Sequence, residues 1–302
     1  MAKVFPNAPI SIKWYILTIS LVFSTLYIDY TTSGYTNPIV FFISTVAFPL
    51  TVAAIVNRIE GYDYIEMLGF IGDPLYAVSM FLISAGIVSM LFFLFVSPML
   101  DILRGTPAFS ALAFMNLPLS SHVFWFTIIS PSFFFVYYMV IAVGEEILKV
   151  FGWKNVANWL YDKLYWRFGF AFARNIIIII GLLISFLGWM TCHIFSWGSL
   201  PPLGIIVGIT YSILFMMPYY LFGEKLISPE EGILLNKFSI WAPIGGHFMY
   251  DFLLQLKLDG VLMGVDVLGG FLISLTLTMV GGTILLYEYI KKGYVPFSVF
   301  QP

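Results

Sequence analysis

Asn175–Gly223 reads NIIIIIGLLISFLGWMTCHIFSWGSLPPLGIIVGITYSILFMMPYYLFG, 49 residues between Arg174 and Glu224 with no Asp, Glu, Lys or Arg. A helix rises 1.5 Å per residue and a bilayer core is about 30 Å thick, so one crossing takes about 20 apolar residues. This run is too long for one crossing and long enough for two. Gly198, Pro201 and Pro202 interrupt it near the middle, where a tight turn belongs. The stretch reads as a hairpin of two membrane helices. Similar uncharged runs separate Asp29 from Arg58, Asp73 from Asp101 and Arg104 from Glu145.

Composition extends that reading to the whole chain. The 302 residues are 60% hydrophobic, 19% aromatic and 10% charged, with a net charge of −2. A soluble domain carries about 25% charged residues. Here 14 basic and 16 acidic groups would have to cover the apolar surface, and they are too few. A soluble enzyme and a disordered chain are excluded on that ground, and a nucleic-acid binder by the lack of a basic stripe. Apolar runs that are continuous, with no in–out alternation, argue against a β-barrel. The single Cys192 excludes an internal disulfide framework. The expected fold is all-α: one integral-membrane domain over residues 1–302, a bundle of about eight transmembrane helices enclosing a polar cavity.

The expected spans are Ile10–Ile28, Pro38–Val56, Pro74–Val96, Ser132–Leu160, Phe172–Trp197, Pro202–Phe222, Phe238–Leu256 and Val261–Ile290. Leu119–Pro131 reads either as an outer half-helix or as the start of the fourth span. With the termini on one side, that side holds Lys3, Lys13, Arg58, Lys149, Lys154, Lys163, Arg167, Arg174, Lys225, Lys237, Lys291 and Lys292. The other side holds Arg104 and Lys257. Twelve basic residues against two place both termini in the cytoplasm and the chain in the cell membrane as a multi-pass protein. Lys3 and Lys13 before an apolar run mimic a signal peptide, but no small-x-small cleavage site precedes Asp29, so the segment reads as a retained first helix.

Ionisable groups inside such spans are costly, about 2.5–3.5 kcal/mol each on insertion scales, and they face the bundle interior with a partner. Glu145 and Glu146 end the run FFFVYYMVIAVG (133–144). His193 sits deep in the fifth span, and His247 and Asp251 lie midway along the seventh. The i,i+4 spacing puts His247 and Asp251 on one helix face. Singly, each has a bland explanation: an interhelical hydrogen bond for His193, an interfacial pair for the glutamates, a local couple for His247 and Asp251. Together they form a general-base and hydrogen-bonding set in a low-dielectric bundle, where ionisable groups titrate far from their ordinary values.

These residues carry a resemblance. Glu145–Glu146, then Trp189 four residues before His193, then His247 four residues before Asp251, resemble the CAAX-protease and bacteriocin-processing family of intramembrane glutamic endopeptidases, related to the Ras-converting enzyme. The resemblance covers about Val140 to Leu254. The family pattern has Arg five residues after the first Glu, where this chain has Val150 with Lys149 beside it. The resemblance implies that Glu145 activates a water with help from His193, and that His247 and Asp251 act on the oxyanion. An Asp donates only when protonated, so Asp251 is expected to orient His247. Glu146 points about 100° from Glu145 on a helix and is expected to be supporting. The implied substrate is a peptide or membrane-anchored protein segment, prenylated or not, with membrane lipid as the other partner; no cofactor is required.

Other readings stay open. Glu145, His193 and His247 are also a zinc set, which would make the enzyme a metal-dependent membrane protease. A non-catalytic scaffold or immunity relative, and a proton-coupled transporter using Glu145, His193 and Asp251 as a relay, complete the alternatives. The catalytic reading makes one demand on the fold. If the fourth helix ended at Glu146, the glutamates would lie roughly 25 Å in depth from His193, which is some 19 residues past Arg174. The helix should therefore continue past them through Val150, Trp153, Val156, Trp159 and Leu160.

Overall fold

Backbone this apolar satisfies its own hydrogen bonds locally, and helices result. The computed structural model describes residues 4–5, 8–32, 43, 47–61, 68, 74–105, 131–164, 170–192, 239–258, 262 and 267–291, and these are all-helical with no strand. In order they form α1 (Lys13–Thr32), α2 (Phe48–Glu60), α3 (Pro74–Leu91), a π-helical turn (Phe92–Val96), α4 (Ser97–Leu103), α5 (Pro131–Leu164), α6 (Phe170–Cys192), α7 (Trp241–Leu258) and α8 (Val267–Lys291). The expected span Pro202–Phe222 and the stretch 119–130 lie outside the described residues.

Local chemistry sets several boundaries. α3 and α5 begin at Pro74 and Pro131, whose missing N–H costs nothing in a first turn. Gly61 and Gly105, at φ 75° and 80°, follow the ends of α2 and α4 in the left-handed conformation that glycine adopts freely. The π-helical turn runs directly into Ser97–Pro98. A proline ring clashes with the carbonyl four residues earlier, and widening the preceding turn relieves the clash without breaking the rod.

α5 is central: α6 and α7 flank it, and α1 and α2 lie across it. α7 is wedged between α5 and α3, and α8 covers the far side of α3. Small residues bring these backbones together. A Cβ added at Gly245 of α7 would lie 2.8 Å from the backbone Cα of Phe81 on α3, and one at Gly281 of α8 would lie 2.9 Å from the carbonyl oxygen of Ser79. Ser274 Oγ donates to the carbonyl of Gly86 at 2.5 Å across the α3–α8 contact, the kind of short-range glue that small-residue interfaces permit.

The segment before α1 is tied to the second half of α5. Asn158 Oδ1 accepts from the backbone N–H of Val4 (2.9 Å) and Phe5 (2.8 Å), and its Nδ2 donates to the carbonyls of Phe5 (2.8 Å) and Ala8 (2.9 Å). Asn155 Nδ2 donates to the carbonyls of Pro9 and Ser11. The Phe5 ring packs edge-on against Trp153. Both asparagines are fully buried, so their side chains stand in for the helical bonds this segment lacks.

Two described helices are long and apolar enough to cross a membrane, Pro74–Ile102 and Val267–Lys291, while the apolar parts of α1 and α6 are shorter, Lys13–Ile28 and Ile176–Thr191. In the second of the long helices only 17% of the apolar window is buried. Its outward face carries exposed Leu268, Leu272, Met279, Val280, Leu286 and Ile290.

Candidate active site

Glu145 and Glu146 sit in the middle of α5, which runs unbroken through them to Leu164. The requirement that the helix continue past the glutamates is met. About one turn each of α5, α6 and α7 supplies the side chains that meet at this level, and every ionisable side chain here is enclosed: Glu145 is 6% exposed, Asp251 7%, and Glu146, Lys149 and His247 at most 1%.

The two glutamates face different neighbours. Glu145 Oε2 accepts from the indole Nε1 of Trp189 on α6 at 2.5 Å. Glu146 Oε1 pairs with Lys149 on its own helix and with His247 Nδ1 on α7 at 2.7 Å. The imidazole thus bridges the glutamate pair. Its other nitrogen, Nε2, lies 3.2 Å from Asp251 Oδ2 and 3.6 Å from Glu145 Oε2. Because a carboxylate only accepts, the Glu146 contact needs a proton on Nδ1 and the Asp251 contact needs one on Nε2, so both ring nitrogens are placed as donors.

Lys149 is a structural centre of this group. Its ammonium lies 4.5 Å from the Trp189 ring centroid and 5.3 Å from that of Phe186, and 3.4 Å from His247 Nδ1, both nitrogens converging on Glu146. Its backbone carbonyl accepts from Ser185 Oγ at 2.6 Å. Gly152, one turn on, has no side chain to block Tyr15 of α1, whose hydroxyl donates to the carbonyls of Ile184 and Ser185. Lys149 and Lys154 are both buried. They are not loop charges, and Lys257, equally buried and paired with Asp101, is not one either; removing all three leaves ten basic residues against Arg104 in the orientation count.

Of the residues singled out in the sequence, the structure brings together Glu145, Glu146, His247 and Asp251. His193 lies outside the described residues, so the set Glu145, His193 and His247 is not assembled among them. Among the described residues, no group of three or more His, Cys, Asp or Glu is arranged to hold a metal ion. Sequence reasoning gave no role to Trp189 beyond its motif position, and passed over Asn155, Asn158, Tyr138 and Gln255. The i,i+3 spacing of the two asparagines, which puts them on one face of the helix, was the available signal. No protein-family model, no curated protein and no solved structure matches this chain.

Proposed function

We propose that the chain is a multi-pass membrane protein of about eight spans with cytoplasmic termini, and that it is an intramembrane endopeptidase of the glutamic type. The support for the membrane reading is the apolar face of α8, which would be an aggregation surface in water, together with the two long apolar helices. The observation that carries the peptidase reading is the approach of Glu145 Oε2 and Asp251 Oδ2 to His247 Nε2, with the indole of Trp189 donating to that same Glu145 oxygen.

In this reading Glu145 takes a proton from a water held between it and His247. The hydroxide attacks the carbonyl carbon of a peptide bond, and the proton passes to the leaving amine. Glu146 fixes the ring orientation of His247, Lys149 fixes Glu146, and Asp251 holds the Nε2 end. Donors aimed at a developing oxyanion are worth about 2.7–4 kcal/mol each, and His247 is placed to be one. The substrate is a peptide tail or membrane-anchored segment reaching the cluster from the cytoplasmic side.

The test uses the purified protein in proteoliposomes with a mixed peptide and lipopeptide library read by mass spectrometry. New fragments with wild type, absent with Glu145→Gln, are expected; cleavage surviving in that variant removes Glu145 as the base. Persistence of cleavage in a chelator separates this chemistry from the zinc alternative. A second reading, a non-catalytic scaffold, is favoured by Val150, fully buried in the apolar core where the resembled family has Arg. It predicts no fragments from any substrate.

A further inference from the structure

Ser185 is the one polar side chain between Asn175 and Trp189 on α6; the other residues there are Ile, Leu, Phe and Gly. It is 1% exposed. Polar contacts tie α6 to a single face of α5 at one-turn intervals. Trp153 Nε1 donates to the carbonyl of Ile178 at 3.0 Å, the Lys149 carbonyl accepts from Ser185 Oγ at 2.6 Å, and Glu145 accepts from Trp189 Nε1 at 2.5 Å. Residue numbers fall along α5 as they rise along α6, so the two helices are antiparallel. Ser185 and Trp189 are four residues apart, as are Lys149 and Glu145, so the last two bonds belong to adjoining turns of one contact.

Apolar side chains attract without preferred direction, so a face of isoleucine and leucine does not by itself fix how a helix is rotated or how far it slides. A hydrogen bond does, because it weakens steeply once its angle closes. The serine is braced in turn. Tyr15 of α1 donates to the carbonyls of Ile184 and Ser185 at 3.2 and 3.1 Å, and it fills a notch left by Gly152 of α5 and Gly188 of α6, where a Cβ would collide with its ring and hydroxyl. We propose that Ser185, braced by Tyr15, is a positioning residue for Glu145: it sets the approach of α6 to α5 at which the Trp189 indole reaches the carboxylate. The same bond fixes the backbone of Lys149, whose ammonium lies over the Trp189 ring. Neither hydroxyl takes part in the chemistry. The effect on rate rests on the peptidase reading, but the hydrogen bond between Trp189 and Glu145 can be read without any cleavage.

The test uses the full chain in detergent micelles with isotope-labelled tryptophan indoles read by NMR, the Trp189 N–H signal being identified by its loss in Trp189→Phe. In Ser185→Ala the signal is expected to move toward its position in Glu145→Ala, where the acceptor is gone. Ser274→Ala deletes a hydroxyl of the same kind from the α3–α8 contact and should leave the signal in place. With a peptide that wild type cleaves, Ser185→Ala should lower kcat roughly tenfold with KM unchanged, as a slightly displaced base would. An unmoved signal in Ser185→Ala, an equal move in Ser274→Ala, or a change in KM in place of kcat overturns the proposal. A signal that moves only in Ser185→Ala, in a protein whose wild type cleaves nothing, overturns the peptidase reading alone. Cleavage by wild type with kcat unchanged in Ser185→Ala overturns the positioning role alone. If Ser185→Ala does not fold, Tyr15→Phe, which keeps the ring in its notch and removes the brace, decides by the same readouts.

Discussion

Neighbouring side chains on a helix point about 100° apart, and α5 exploits that angle: Glu145 meets the indole of Trp189 on α6, and Glu146 meets Lys149 and the imidazole of His247. Glu145→Gln is expected to abolish peptide cleavage with a stability change under about 1 kcal/mol, because a glutamine oxygen still accepts from Trp189. Chemical denaturation in detergent beside the cleavage assay checks both halves. Trp189→Phe keeps a ring beneath the Lys149 ammonium and removes only the N–H to Glu145. It should lower kcat by about 10–100-fold with KM unchanged, as expected for a mispositioned base; a change in KM alone would move Trp189 into substrate binding. Lys149→Met leaves Glu146 buried without its cation and should cost about 3–5 kcal/mol, read as a fall in detergent stability. A stable variant would show that Lys149 does not hold Glu146.

At the scale of helices, the site depends on how closely α7 approaches α3. Gly245 stands two residues before His247 and lies against the Phe81 backbone, which cannot move aside as a side chain can. Gly245→Ala should destabilise by about 1–3 kcal/mol through overpacking, and lower cleavage as well by shifting His247 from Glu146. The second half of α5 depends on Asn158. Asn158→Leu strips the partners from the backbone of Val4, Phe5 and Ala8. It should cost about 2–4 kcal/mol and expose the N-terminal segment to protease; an unchanged digestion pattern would contradict this.

For the molecule as a whole, the topology is testable through its single native cysteine. With Cys192→Ser as background, one cysteine placed in each terminal segment should react with a membrane-impermeant maleimide only after the cytoplasmic face is opened. Labelling of either terminus from outside would overturn the proposed orientation. Burial of Lys149 and Lys154 makes this experiment informative, since charges enclosed in the bundle do not report on which side a loop lies.

The chain by itself determined that it is helical, because its uncharged runs are long and unpunctuated and apolar backbone must pair locally. Sequence also singled out Glu145, Glu146, His247 and Asp251, since ionisable residues are conspicuous where almost everything else is apolar. It could not assign their partners. Whether Lys149 serves Glu145 or Glu146, four or three residues away, depends on which way α5 is rotated against α6 and α7, and local spacing allows both. The pairing of Trp189 with Glu145 joins residues 44 apart in the chain, and that of Tyr138 with Gln255 joins residues 117 apart. Such contacts are set by helix packing, where glycines at 245, 152 and 281 fix the approach. Residue type decided what chemistry is available, and only tertiary packing decided which groups face one another.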